Sequence, residues 1–564
     1  MSKAFGQQNP TFGEIAVSWQ TFSDGSAGIP SVTGDSDWGK MTLDLSGEEG
    51  RSAVYDLGSS RARTLTLTEN RYGSGTETAQ LQIRGHNTTT FSQDDVSPAW
   101  ENYYSPTSRA WRYIQIREIT GVITPSHFVD GGAAGDDAHP GTEAEPWKTI
   151  QHAVDTVSPG DTVYIRGGTY NENALLYYNS GEADNWITYR NYPGEVVIMD
   201  GTGIVPTSGN GLWCMLKSDY VRVCGIQIKN SNSAGINVLY CHYIRLDHLY
   251  IYNSTREGIG AWGHIEPEYS CNNIYIDNNE VDYCCVPKYA EDNDTLLYDS
   301  GEEFISIVTC DYVWCHHNNS HTCANWAGTP NIHEGEIVNG GEGAGIRDGA
   351  TWIYFYNNLT YNLRRVGPGV IGWDAADSPI GHDIYIYCNI THHCYHGFIT
   401  SVERGQSNED VYIYNNIAYD CSGGGFGLPF WSSTTDGIKH NIQVVNNIFY
   451  HNAYGVFCTT SDPYLDGIII RNNIFAENTA VKDLGTASAG EFTVDHNLFY
   501  NNDSTWGTDV VEGNPLFANV GTHDFHIGDG SPAIGAGSLT GAPTHDYDLV
   551  LRGAGVDIGA FEHV

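Results

Sequence analysis

The chain of 564 residues carries 68 acidic against 27 basic side chains, a net charge of −41. A surface this negative repels phosphate backbones and excludes nucleic acid as a partner. It suits hard cations such as calcium, and a protein that works outside the cell or on a virion surface. With 40% hydrophobic and 17% charged residues the chain is neither disordered nor membranous, and its length exceeds one ordinary domain unless repeats stack on one another. Residues 1–30 hold no apolar run, which predicts no signal peptide and no membrane insertion.

In chain order, strand-like alternation comes first, at Ala53–Leu57, Thr64–Leu67, Leu81–Arg84 and Arg112–Arg117. These runs predict a β-sandwich over residues 1–122. It resembles a discoidin or galactose-binding-like domain, and the resemblance implies a carbohydrate-binding or attachment role. A second domain is expected from 123 to 564. It opens with a strand at Phe128–Asp130, an amphipathic helix between Pro146 and Val154, and a first coil from Pro159 to Tyr170. A short helix there would cap exposed strand edges.

From about residue 220 a pattern recurs: alternating β-branched or aromatic residues, then Asn-Asn, then an apolar residue. Examples are Ile274 to Asn279, Tyr354 to Asn358, Ile384 to Asn389, Val411 to Asn416, Ile442 to Asn447, Ile468 to Asn473 and Phe492 to Asn497. Taking the second Asn, with Asn319 as the degenerate copy, the step shrinks from 40 residues (279 to 319) to 24 (473 to 497). A 24-residue step fits one coil of three short strands. Longer steps between Glu257 and Ser407 require inserted loops, which in solenoids gather on one side. Asn tolerates the left-handed bend of a corner, and stacked amides bond along the column. Each copy is followed by a Gly-led strand, as at Gly258, Gly369, Gly397, Gly425 and Gly455. The expected fold is all-β, a right-handed parallel β-helix.

The segment from Pro140-Gly-Thr142 through Pro146-Trp-Lys-Thr-Ile-Gln151 to Pro159-Gly-Asp-Thr-Val-Tyr164 resembles the start of bacterial and phage β-helices of the pectate-lyase-like superfamily. Asn514-Pro-Leu-Phe517, Ser531-Pro-Ala-Ile534, Arg552-Gly553 and Asp557 to Glu562 resemble their exit. The resemblance spans roughly residues 125 to 564 and implies a carbohydrate-active protein, the superfamily holding hydrolases, lyases, epimerases and phage tailspikes.

Aligning three coils on Gly343, Gly369 and Gly397 gathers Arg347, Asp348, Asp374 and Glu403 just past consecutive strand ends. Coils lie ~4.8 Å apart, so Asp374 and Glu403 are expected within about 5 to 6 Å, the spacing of a retaining glycosidase. Asp374 would be the nucleophile and Glu403 the acid/base, with Asp377 competing for the first role. The Asp-Ala-Ala-Asp and Ser-Val-Glu-Arg-Gly segments resemble strand-end motifs of glycosidases related to a β-xylosidase family, and this chain differs by an extra residue there. The rival chemistry is a calcium-dependent lyase or epimerase with Arg347 as base, the calcium held by Asp348 and Asp374, or by Asp292, Asp294, Glu302 and Glu303. A third reading is a non-catalytic glycan-binding or tailspike protein.

Trp262, Trp326, Trp352, Trp373, Tyr395, Phe430 and Trp431 lie in or beside the inserted loops, where sugar rings could stack, with His396 and Arg404 as polar contacts. The partner is expected to be a polysaccharide or glycan, and the protein a monomer or trimer. All thirteen cysteines fall between Cys214 and Cys458 without a CxxC pair, and are read as small buried residues of the coil. The run His392-His393-Cys394-Tyr395-His396 reads either as a polar corner or as a transition-metal site.

Overall fold

A computed structural model describes residues 125–563, apart from 184, 205–210, 286–287, 290–295, 299–302, 324–331, 334–335, 338–340, 373–378, 403–405, 430–436, 461 and 486. Upstream of 125 it describes strands only. Residues 126–182 and 187–564 form one compact unit, and a second lies chiefly within residues 6–125. The second unit has two four-stranded antiparallel sheets. Strands Tyr55–Asp56, Arg63–Glu69, Gln80–His86 and Tyr113–Ile119 overlap the four runs read from the sequence, while Glu14–Thr21 and Gly39–Asp44 were not anticipated.

The larger unit is a right-handed parallel β-helix. Its coils contribute one strand each to three long parallel sheets of 14, 13 and 11 strands. One coil shows the plan: Asn272–Asp277 in the first sheet, Glu280–Asp282 in the second, then Glu303–Val308 in the third. Alternate residues point inward, so Ile274, Ile276, Val281, Ile305 and Ile307 are buried in one continuous apolar core. The helix Ile150–Thr156 is N-capped by Thr149 and buries Ile150, Ala153 and Val154 against that core. Asp137 accepts from the amides of Lys148 and Thr149, and Glu172 from those of Ile150 and Gln151, satisfying donors that a helix start leaves orphaned.

The corner between first and second sheets divides two tasks between its two residues. The first adopts left-handed backbone, as at Asn278 (φ 55°), Asn357 (53°) and Asn446 (57°), and also at Cys388 (54°) and His496 (53°). The second turns its amide inward. Each Nδ2 of Asn279, Asn318, Asn358, Asn389, Asn416, Asn447 and Asn473 donates to the Oδ1 of the next at 3.0–3.1 Å. The same Nδ2 reaches a backbone carbonyl one coil back, for example Asn358 to Cys315 at 2.9 Å. The register corrects one position: Asn318, not Asn319, is the ladder residue, because His317 takes the left-handed place (φ 54°) and pushes Asn319 into the following strand. At the corner between second and third sheets Asn452, Asn478 and Asn502 form another ladder, in line with Cys421. All thirteen cysteines are buried, and none forms a disulfide.

The last segment runs back along the outside. Arg552 donates to Asn415 Oδ1 (3.0 Å), and Asn446 Nδ2 donates to the carbonyls of Asp557 (2.9 Å) and Gly559 (3.0 Å). Phe525, Ile527, Ala533, Ile558 and Phe561 cover Ile417, Ile448, Ile474 and Leu498 on the outer side of the second sheet. The exit motif is therefore a strap, its Arg552 ion-paired with Glu562. No helix among the described residues is long and apolar enough to cross a membrane.

Candidate active site

The inserted segments enter at two corners, and both flank the third sheet. Residues 286–302 and 324–340 precede its strands Glu303–Val308 and Glu342–Arg347. Residues 373–378, 403–405 and 430–436 follow its strands Pro368–Gly372, Phe398–Val402 and Gly424–Leu428. The strands of this sheet are thus the ones that the inserted segments adjoin in sequence, and its outer face is taken as the floor of the candidate site.

That floor carries a column of three buried glutamates on consecutive coils, Glu257, Glu303 and Glu342, each 2% exposed. They face outward because the next two residues both turn inward at the corner, as Phe304 and Ile305 do into the core. Each has an arginine. Arg256 meets Glu257 at 3.3 Å, Arg365 meets Glu342 at 3.3 Å, and Arg347 ion-pairs with Glu303. Gly345 makes the last pairing possible, since a Cβ there would stand 2.4 Å from Glu303 Cγ.

Arg347 ends its strand and also lies 3.8 Å from Asp348, whose backbone is left-handed (φ 49°). Burial alone would favour the neutral guanidine, but the Glu303 and Asp348 carboxylates outweigh it and hold Arg347 above its ordinary value. Beyond Glu342 the floor becomes apolar, with Val366, Ile371 and Ile399 packed together. His396, in register with Val366, accepts from the Gly424 amide at 2.7 Å through Nδ1. Burial holds this imidazole down at about 4, so it is neutral near pH 7.

The strand register revises the alignment of the three coils. Ala344 pairs with Pro368, and Gly369 pairs with Ile399, so Gly343 lies opposite Gly367 and then Gly397; Gly369 is two places further on. The middle coil has glycines on both sides of Pro368, and the one that turns the corner is the first. Arg347 is consequently in line with Ile371 and Ser401. Gly372 and Val402 are paired strand ends, from which the segments containing Asp374 and Glu403 depart.

Asp374, Asp377, Glu403, Arg404, Trp326, Trp373, Trp431, Asp292, Asp294 and Glu302 lie outside the described residues, as does Phe430. Of the others, Trp262 stands on the floor, its Nε1 and the Asn237 Oδ1 converging where a Cβ on Gly260 would be. Tyr395 is exposed, with its ring 4.4 Å from that of His396. Trp352 belongs to the first sheet and not to the third, and is stacked on Tyr312 at 6.0 Å. The His392–His396 run is spread round a corner: His392 stacks between Tyr361 and Tyr419, Cys394 is in the core, and His396 is on the third sheet. Among the described residues no three His, Cys, Asp or Glu side chains are grouped to hold a metal, and Glu303, proposed for calcium, has its carboxylate engaged by Arg347.

The glutamate column was not anticipated as a column. Its trace in the sequence is a Glu directly before the Gly that opens a strand, at Glu257-Gly258 and Glu342-Gly343.

Residues 130–284 match the family described as Pel9A-like, right handed beta helix region. The uncharacterized protein YwoF of Bacillus subtilis is 40% identical over 70 residues, 12% of this chain and 15% of that protein. Pectate lyase PEL9 of Emericella nidulans is 43% identical over 68 residues, 12% of this chain and 17% of that protein. The matched segment thus spans under a fifth of either relative. Among solved structures, the complex of XylC with xylose superposes over 78% of this chain and 98% of that one, with a TM-score of 0.51 and 11% identity. That likeness concerns the fold alone, a right-handed parallel β-helix.

Proposed function

We propose that this protein degrades a carbohydrate polymer as a retaining glycoside hydrolase, with Asp374 as nucleophile and Glu403 as acid/base. The observation that carries the reading is the pairing of Gly372 with Val402. Asp374 follows the first by two residues and Glu403 follows the second by one, and hydrogen-bonded strands lie ~4.8 Å apart. Two carboxyl groups about 5 to 5.5 Å apart suit attack by one and protonation of the leaving oxygen by the other. Their closeness also separates their proton affinities, which keeps one ionised and one protonated.

The lyase alternative needs Arg347 to lose its proton. Glu303 and Asp348 favour the charged form, which opposes that role and leaves Arg347 suited to orientation. Of the carboxylates offered for calcium, Glu303 is engaged by Arg347 and Asp348 lies beside the same guanidinium. The pectate lyase among the relatives is matched over only 68 residues, so its chemistry carries little weight beside the residues of this chain.

The test is Glu403→Gln. Reducing-sugar release should fall by ~10³-fold or more with an unchanged circular dichroism spectrum. The parent enzyme should release products with retained anomeric configuration and without ultraviolet-absorbing unsaturation. Full turnover by Glu403→Gln, or unsaturated products, would overturn the assignment.

A further inference from the structure

A recess of about 470 Å³ lies between the N-terminal capping helix and the first strand of the third sheet, Ala174–Tyr177. The helix stands against that strand through Gln151, whose side chain accepts from the Leu175 amide (2.8 Å) and donates to its carbonyl (3.2 Å), as a neighbouring strand would. Ala174 and Leu176 point into the core, so Leu175 and Tyr177 face outward into the recess. Tyr177 is 40% exposed, and Tyr178, which turns the corner with left-handed backbone (φ 57°), is 69% exposed. Two large rings side by side in water at the rim of a concavity mark a contact surface, where a single exposed ring would not.

The polar groups of the recess have capacity left over. Asn179 commits its amide nitrogen to the carbonyls of Val154 (3.0 Å) and Val157 (3.1 Å), which orients its Oδ1 as a free acceptor. Asp155 accepts from Gln151 Nε2 through one oxygen (2.9 Å), and its other oxygen is unengaged. Ring faces beside acceptor oxygens suit a sugar, whose C–H face lies on a ring while its hydroxyls donate to carboxylate and amide.

The recess opens onto a row that leads along the molecule. Tyr177 pairs with Leu216, Leu216 with Leu239 and Leu239 with Trp262, and the same row passes Val308 and Arg347 to Ile371. Leu176, Met215, Val238 and Ala261, the residues before the first four, are in the core, so the row faces out. Leu216, Leu239 and Trp262 are half-buried. Beside them Tyr269 meets Tyr240 edge-on (5.1 Å) and lies under the Lys217 ammonium (4.0 Å). Six coil steps at ~4.8 Å put Tyr177 about 29 Å from Ile371. A disaccharide bound at one end does not reach the other, whereas a polymer lying along the coil axis does.

We propose that this recess is a second carbohydrate-binding site, separate from the candidate active site, which holds a hydroxyl-bearing sugar chain through Tyr177, Tyr178, Asp155 and Asn179. It rests on the reading of the protein as carbohydrate-active and on none of the chemistry assigned to Asp374 and Glu403. A chain held here is kept at high effective concentration over the rest of the row.

Native gels cast with xylan, arabinan, galactan or mannan read the binding. Full-length protein, Glu403→Gln and the pair Tyr177→Ala with Tyr178→Asn are run side by side. Both tyrosines are exposed and Asn tolerates left-handed backbone, so the pair should keep the parent's circular dichroism spectrum. At least one polymer should retard the parent and Glu403→Gln alike, and retard the tyrosine pair at least several-fold less. Equal retardation of the tyrosine pair, or no retardation of the parent by any of the four, overturns the proposal. Turnover by Glu403→Gln equal to the parent's would remove the hydrolase assignment and leave the recess standing. If the pair unfolds, Asp155→Ala, an exposed position on the helix, replaces it with the same two outcomes.

Discussion

Residue identity matters most where burial and charge meet. His396 is nearly inaccessible, bonded to the Gly424 amide, and held down at about 4. An unfolded histidine titrates near 6.5. The folded value is the lower one, so the contribution of His396 to stability is full above about pH 6.5 and is lost as the pH falls toward about 4. Thermal unfolding should therefore show a loss approaching 3 kcal/mol between those limits from this residue. A His396→Gln variant, which keeps an acceptor for Gly424, should have a flatter melting temperature from pH 7 to pH 4.5. An acid limb identical to the parent's would refute this account.

Among elements, the Asn ladder is the part of the fold most legible in sequence, because one residue type recurs with an apolar residue after it. Its two roles are separable by experiment. Asn416→Ala removes an amide that donates to Ile386 and Asn447 and accepts from Asn389, leaving buried groups unmatched at about 1–3 kcal/mol each. Asn357→Ala removes no ladder bond, only an exposed Nδ2 contact to His317 Nε2 (3.4 Å), and meets the left-handed backbone (φ 53°), at about 1 kcal/mol. Equal destabilisation in urea titrations would contradict the division of labour. The second ladder was harder to see, because cysteines and a leucine hold most of its column: Cys284, Cys323, Leu363, Cys394 and Cys421 precede Asn452. The candidate site was legible only in part. Spacing located the strand ends that precede Asp374 and Glu403, but Gly367 and Gly369 look alike in sequence and only hydrogen-bond register separates them. The Glu303–Arg347 pair spans 44 residues, and no local pattern encodes it.

For the whole molecule, stability resides in repetition, each coil resting on its neighbours, while the two ends need separate closure. The N-terminal helix supplies one closure and the strap the other. Arg552 is the strap's centre: buried, ion-paired with Glu562, and bonded to Asn415 and the Gly559 carbonyl. Arg552→Ala strands the Glu562 carboxylate and should cost about 3–5 kcal/mol. Limited proteolysis should then cut first between residues 530 and 563 while the coils persist. Loss of the entire solenoid at once would show that strap and coils are a single cooperative unit.

The strap also orders events in time. During synthesis the capping helix emerges before the coils it covers, and each new coil has a finished one to rest on. The bond between Arg552 and Asn415, however, joins residues 137 apart, and its donor follows every coil in the chain. A chain released early can therefore wind its coils, yet it displays Ile417, Ile448, Ile474 and Leu498 to water. Those four side chains mark an unfinished molecule as sticky, and they disappear from view only when the strap itself has been made and laid down.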